Sequence, residues 1–206
     1  MTAQRVAALF RPSSVVVVGA SDTAGTLGDV VRRNLVEGGF AGPIHFVNPR
    51  HASVAGQQAF ASVLDLPAVP DLALIVTPAA TVPEIIGDCG RKGIKSAVIV
   101  SAGFREGGVP GAGYERQLRL QARKHGLRFL GPNSLGVIRT DIGLNASCGP
   151  SLPDKGRLAL VSRRRKFARH AVVVALEGMD ASGKGGSIRR ITAALDARQY
   201  RVVPIS

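Results

Sequence analysis

Aromatic residues make up only 4% of this chain, and tryptophan is absent. Apolar residues still reach 45%, drawn largely from Val, Ile, Leu and Ala. That balance excludes a disordered chain and suits a parallel sheet buried on both faces. Cysteine is equally scarce: Cys89 and Cys148 match no metal spacing and are too few for a disulfide framework. His45, His51, His125 and His170 are scattered without a ligand pattern, so no metal site is expected. No apolar run approaches the ~20 residues of a membrane span. The opening residues, MTAQRVAALFRPSS, lack the apolar core of a secretory signal. The expectation is a reducing cytoplasm and no membrane partner. Acidic residues are the last scarcity, 14 against 27 basic ones, for a net charge of +13. Residues 162–206 hold 10 of those basic residues and only 3 of the acidic ones. Such a tail favours polyanionic partners such as phosphates, polyphosphate or nucleic acid.

What is present centres on residues 14–29, SVVVVGASDTAGTLGD. Val15 to Val18 are β-branched and uninterrupted, as in a strand buried on both faces. Small and polar residues follow Gly19. From Leu27 the period changes, with Leu27, Val30, Val31 and Leu35 on one helical face. A strand, a small-residue loop and a helix start together make an anion site. Free backbone N–H groups and the positive helix end converge there, and Gly19, Gly25 and Gly28 let a ligand approach.

Further strands are expected at 43–47, 71–76, 97–100 and 127–130, with helices at 81–92 and 114–125 between them. This even alternation predicts an α/β fold, a Rossmann-like doubly wound parallel sheet. Ligands of such sheets sit outside the carboxyl ends of the strands. Here those ends read Gly19-Ala20-Ser21, Asn48-Pro49-Arg50, Thr77-Pro78, Ser101-Ala102-Gly103 and Gly131-Pro132-Asn133. A dinucleotide site wants G-x-G-x-x-G and, about 20 residues on, an acid for the ribose. The loop reads G-A-S-D-T-A-G, and the second strand ends in Arg50 without an acid, which disfavours NAD. A basic residue there suits a phosphorylated ribose, leaving NADP, as in an oxidoreductase, or coenzyme A.

The stretches LFRPSSVVVVGAS, GGFAGPIHFVNPRH, SVLDLPAVPDLALIVTPAATVPEII, AVIVSAGF, LGPNSLGVI and LNAS decide between them by resemblance. Residues 8–162 resemble the N-terminal CoA-binding domain of the NDP-forming acyl-CoA synthetases, such as ADP-forming acetate–CoA ligase. The resemblance implies that Gly19, Ala20, Ser21, Gly25, Leu27 and Gly28 hold the pyrophosphate of coenzyme A. Asn48, Pro49 and Arg50 would flank the adenosine 3′-phosphate. Val76, Thr77, Pro78, Ser101, Ala102 and Gly103 would line the pantetheine path, with Asn133 at the neighbouring strand end. The family converts acyl-CoA, phosphate and ADP to acid, CoA and ATP, through an acyl phosphate and a phosphohistidine. The phosphohistidine and ATP-grasp parts lie in later domains. The implied partners are CoA or acyl-CoA, with further synthetase domains or a homo-oligomer. Mg²⁺ and ATP or ADP belong to the complete parent enzymes.

Residues 156–162 resemble the first strand of the family's next domain, but Arg163-Arg164-Arg165-Lys166 replaces the phosphate loop expected after it. Residues 167–206 then resemble the opening of the family-2 polyphosphate kinases. Gly178-x-x-x-x-Gly183-Lys184 matches most of a P-loop, with Gly185 in place of the usual Ser or Thr. By this resemblance Lys184, with Gly183 and Gly185, contacts the transferred phosphate, and Asp180 serves the metal or the acceptor. The expected organisation is a CoA-binding domain (1–135), a connector ending in a basic seam (136–166) and a P-loop fragment (167–206). The last of these is expected to be a small parallel βαβ unit, with polyphosphate as a partner of the basic tail. The whole reads as a CoA-binding module rather than a complete enzyme.

Overall fold

Four consecutive valines form β1 (Val15–Val18), each of them buried. The rest of the chain is layered on the two faces of this strand. The computed structural model describes residues 4–149, 152–153, 158–164, 170–176 and 200–204. In chain order, α1 (Gln4–Phe10) precedes β1, and α2 (Leu27–Glu37), β2 (Ile44–Val47), β3 (Ser53–Val54) and β4 (Gln57–Phe60) follow it. Next come β5 (Leu72–Ile75), α3 (Val82–Lys92), β6 (Ser96–Ile99), α4 (Gly108–His125) and β7 (Arg128–Leu130). Five more strands complete the order: β8 (Gly136–Arg139), β9 (Leu144–Ser147), β10 (Leu158–Arg164), β11 (His170–Leu176) and β12 (Tyr200–Pro204).

The first sheet has seven strands in the order β3-β4-β2-β1-β5-β6-β7. All its pairings are parallel except that of β3 with β4. Counting only the parallel strands, the order is that of a Rossmann sheet, with its switch point between β1 and β5. Side chains alternate across β1 as a strand's period of two requires. Val16 and Val18 join a core with Val82 and Ile86 of α3 and Leu118 of α4. Val15 and Val17 join another with Leu9 of α1 and Val31 and Leu35 of α2. Helices therefore cover both faces, as the alternating pattern predicts.

Helix α4 begins at Gly108, earlier than the apolar pattern from Tyr114 suggests. The added turn, GVPGAG, is poor in helix formers and is held by packing: Gly111 rests directly on the backbone of Phe104. The connector read at 136–166 contains β8 and β9, an antiparallel pair whose Val137, Leu144 and Ala146 seal the α2 face. Asn34 of α2 donates to the carbonyls of Ser147 (2.9 Å) and Gly149 (2.7 Å), tying this pair to the helix.

Strands β8 and β9 belong to a second sheet, in the order β12-β10-β11-β8-β9. The two strands of the expected βαβ unit, β11 and β12, run in the same direction with β10 between them. Strand β10 lies between β11 and β12 and is antiparallel to both, while β11 runs parallel to β8. Five residues, 165–169, separate β10 from β11, and a parallel crossover needs a dozen or more. Antiparallel pairing is the geometry such a short connection allows.

An ion-pair cluster holds α1 to the turn after β8. Asp141 accepts from Arg139 at 2.7 Å and from Arg11 at 2.6 Å. Hydrogen bonding from Arg139, reinforced by Arg11, lowers the Asp141 carboxyl to about 2. A lowered carboxylate pKa stabilises the fold above the unfolded value of 3.8 and loses that contribution as pH falls through about 2. Because Arg11 is largely exposed, the contribution is about 1 kcal/mol. Asp141→Asn is expected to lower the thermal midpoint at pH 7 and to leave it less sensitive to acid between pH ~4 and ~2. A variant curve parallel to that of the unmodified chain throughout this range excludes the linkage.

Among the described residues, no helix is long and apolar enough to cross a membrane.

Candidate functional site

Strand β1 delivers Gly19 to the carboxyl edge of the sheet with φ +92°, a conformation that favours glycine. Residues 20–26 then turn back into α2. Thr26 caps that helix, its hydroxyl accepting from the Asp29 N–H at 3.2 Å. Arg32 reaches back from α2 to the Ser21 carbonyl at 3.1 Å and fixes the loop. The Asp29 carboxylate is buried and held by Arg32 at 2.7 Å and Arg33 at 3.2 Å. Hydrogen bonding from Arg32 keeps its pKa below the ordinary value. The acid nearest the helix start is thus neutralised, and the positive end of α2 faces an open cleft.

That cleft, of about 520 Å³, lies across the ends of β1, β2 and β5, at the switch point of the sheet. It brings together Gly19, Ser21, Leu27, Gly28, Asn48, Pro49, Arg50, Val76, Thr77 and Pro78, all expected from the sequence. Asn48 joins two strand ends: its amide donates to the Ala20 carbonyl at 2.9 Å and its oxygen accepts from the Arg50 N–H at 2.8 Å. Among the described residues, no carboxylate stands at this end of β2, where a dinucleotide ribose would need one. The Arg50 guanidinium has no acidic partner among the described residues. On the far wall the Thr81 hydroxyl lies 3.0 Å from that of Thr77 and donates to the Pro78 carbonyl at 2.8 Å.

The other expected residues take different places. Ala20 is buried behind the loop, and Gly25 sits at its tip outside the cleft lining. Ser101, Ala102, Gly103 and Asn133 form a second group at the ends of β6 and β7. Glu106 braces it, accepting from the Gly103 N–H at 2.8 Å and the Asn133 amide at 3.1 Å. Asn133 also donates its N–H to the Ser101 carbonyl at 2.8 Å. The kinase-like residues Asp180, Gly183, Lys184 and Gly185, and the basic residues Arg165 and Lys166, lie outside the described residues.

Several cleft residues carry no signal at strand ends. Thr23, His51, Ser62, Thr81 and Asp88 come from loops and from α3. Thr26, which caps α2, also lines the cleft. Asp88, the carboxylate of the far wall, is paired with Arg91. The thiol of Cys89 is packed in the core, and burial pushes it up to about 12. Among the described residues, no group of three or more His, Cys, Asp or Glu could hold a metal ion.

A match to the CoA binding domain family spans residues 13–140 and contains the whole cleft. The chain belongs to this family. It is 40% identical over 87% of its length to "Acetate--CoA ligase [ADP-forming] I" of Archaeoglobus fulgidus. The solved structure of Ca. Korarchaeum cryptofilum dinucleotide forming acetyl-coenzyme A synthetase 1, in complex with phosphate and ADP, superposes with a TM-score of 0.69. That match is 36% identical and covers 74% of this chain and 32% of the other. The CoA-binding domain is thus of the ADP-forming acyl-CoA synthetase type, and its fold is α/β and Rossmann-like. The chain spans about a quarter of the length of the A. fulgidus relative.

A second match, to polyphosphate kinase 2, covers residues 152–206. It begins upstream of the basic run, so residues 156–162 fall inside it. Over 53 residues, 26% of this chain, the chain is 53% identical to a polyphosphate:AMP phosphotransferase of Pseudomonas aeruginosa. Those residues make up 11% of that protein.

Proposed function

We propose that the cleft holds coenzyme A. On this reading the pyrophosphate lies on the loop from Gly19 to Gly28, against the positive end of α2. The adenosine 3′-phosphate meets Arg50 beside Asn48 and Pro49. The pantetheine follows Val76, Thr77 and Pro78 toward the group formed by Ser101, Ala102, Gly103 and Asn133. The observation that carries the reading is the cleft wall at the end of β2, where an arginine without a described acidic partner replaces the carboxylate of a dinucleotide site. The reaction served is that of the ADP-forming acyl-CoA synthetases: acyl-CoA, phosphate and ADP to acid, CoA and ATP. The Mg²⁺ and nucleotide of that reaction belong with the ATP-grasp part of such enzymes.

Calorimetry on the full chain tests this. A charge-assisted phosphate contact contributes about 1.5–3 kcal/mol, so dephospho-CoA is expected to bind about 10-fold or more weakly than CoA. Arg50→Glu is expected to weaken CoA by at least as much and to leave dephospho-CoA less affected. NAD should bind far more weakly than either. Equal affinity for CoA and NADP overturns the assignment in favour of a nicotinamide oxidoreductase.

The kinase-like segment supports a second reading, phosphotransfer from polyphosphate to a nucleotide, on the strength of its 53% identity over 53 residues. Lys184 would contact the transferred phosphate, with Gly183 and Gly185 beside it and Asp180 serving Mg²⁺ or the acceptor. An assay with polyphosphate, Mg²⁺ and AMP or ADP decides it. Turnover that disappears in Lys184→Ala supports the reading. A rate no higher than that of this variant removes it.

A further inference from the structure

A basic surface lies away from the cleft, on α4 and β7. Arg116, Arg119 and Arg123 follow one another at spacings of three and four residues, which places them along one helical face. Over seven residues this row extends about 10 Å. Arg119 and Arg123 line a depression of about 490 Å³ together with Arg128 of β7, over a floor that includes Ala122 and Leu127. Among the described residues, no acidic one lines it. The same two arginines continue into an adjoining groove of about 390 Å³, with Arg105 and Arg116. Among the described residues, one carboxylate serves this surface. Glu115 is buried and takes Arg119 at 2.7 Å and Arg105 at 3.1 Å. It orients those two guanidinium groups rather than neutralising the row. Arg116, Arg123 and Arg128 have no acidic partner among the described residues.

A structural role accounts for part of this charge. Basic residues in the last turn offset the negative end of a helix dipole, and α4 has Arg123, Lys124 and His125 there. The dipole effect fades within one turn, so it explains neither Arg116 and Arg119 nor Arg128, which lies beyond the helix. Several guanidinium groups kept side by side repel one another unless an anion joins them. Their planar forks suit the paired oxygens of phosphate.

We infer that the surface between α4 and β7 is a binding site for a linear oligophosphate anion, inorganic polyphosphate being the form that fits. Its length matches the row of arginines, and its charge is repeated at close intervals without intervening sugar or base. Nucleic acid fits less well, because single strands are held by bases stacked on aromatic rings. Among the described residues, the one aromatic residue lining the depression, Phe129, packs against the sheet core. The surface shares no lining residue with the proposed coenzyme site, so the two readings stand or fall separately.

The test is calorimetry on the full chain with tripolyphosphate and long-chain polyphosphate at several salt concentrations. Arg123→Gln/Arg128→Gln is expected to weaken both ligands at least 10-fold. It should reduce the slope of log affinity against log salt by about 1.5–2, a little under one unit for each lost contact. CoA titration of the same variant should be unchanged, which shows that it is folded. Unaltered polyphosphate affinity in the double variant overturns the inference, since the anion then sits elsewhere, as on the basic run 163–166. Orthophosphate binding as tightly as tripolyphosphate also overturns it. So does tighter binding of a single-stranded oligonucleotide of matched charge.

Discussion

Gly28→Ala is expected to abolish coenzyme A binding. A methyl group on Gly28 would lie 2.2 Å from the Gly19 carbonyl oxygen and 3.1 Å from Ser21. Both neighbours are parts of the loop proposed to hold the pyrophosphate, and the nearer is backbone, which cannot rotate away. Either α2 retreats from the loop or the loop opens. Each outcome separates the helix N-terminus from the ligand that it faces. The expected result is no measurable CoA binding under conditions where the unmodified chain is saturated, together with a loss of stability of about 1–3 kcal/mol from overpacking. Gly25→Ala is the control. Its added carbon would meet nothing within 4 Å, though its φ of +79° makes the change strained. That strain costs about 1 kcal/mol, and binding should survive. If Gly28→Ala binds CoA as the unmodified chain does, the loop is not the pyrophosphate site.

The second large effect is on the fold, at the start of α4. A methyl group on Gly111 would lie 1.7 Å from the Phe104 carbonyl oxygen and 2.7 Å from that of Gly103. No rotamer relieves a backbone clash of this size, so the helix must lift from the end of β6. Phe104 is fully buried in the core under α4. Gly111→Ala is therefore expected to destabilise the chain by more than about 3 kcal/mol, at the upper end of single substitutions. Gly113→Ala, two residues on in the same helix, meets nothing within 4 Å and is expected to be neutral or stabilising by up to about 1 kcal/mol. Urea unfolding of the pair measures the difference. Midpoints for Gly111→Ala and Gly113→Ala that coincide would show that α4 does not rest on this contact.

By itself the sequence determined five of the seven strands of the first sheet, β1, β2, β5, β6 and β7, while the short β3 and β4 carry no apolar run that marks them. Runs such as Val15–Val18 and Leu72–Ile75 have little choice but to be buried on both faces, and helical periods between them force parallel crossovers. It also determined which strand ends line the cleft, because Gly19, Asn48-Pro49-Arg50 and Thr77-Pro78 must fall at the same edge of such a sheet. Only the tertiary structure decided that Ser101, Ala102, Gly103 and Asn133 form a group of their own, because Glu106 joins loops that are distant in sequence. It alone extended α4 back to Gly108, where packing on Phe104 outweighs poor helix propensity. It alone placed β10 between β11 and β12, since strand order rests on pairings between segments whose local patterns are alike. The arginines of α4 and β7 were likewise visible as residues but not as a surface. Arg119 and Arg128 share a depression because a helix and a neighbouring strand meet there, and no period within either element encodes that meeting.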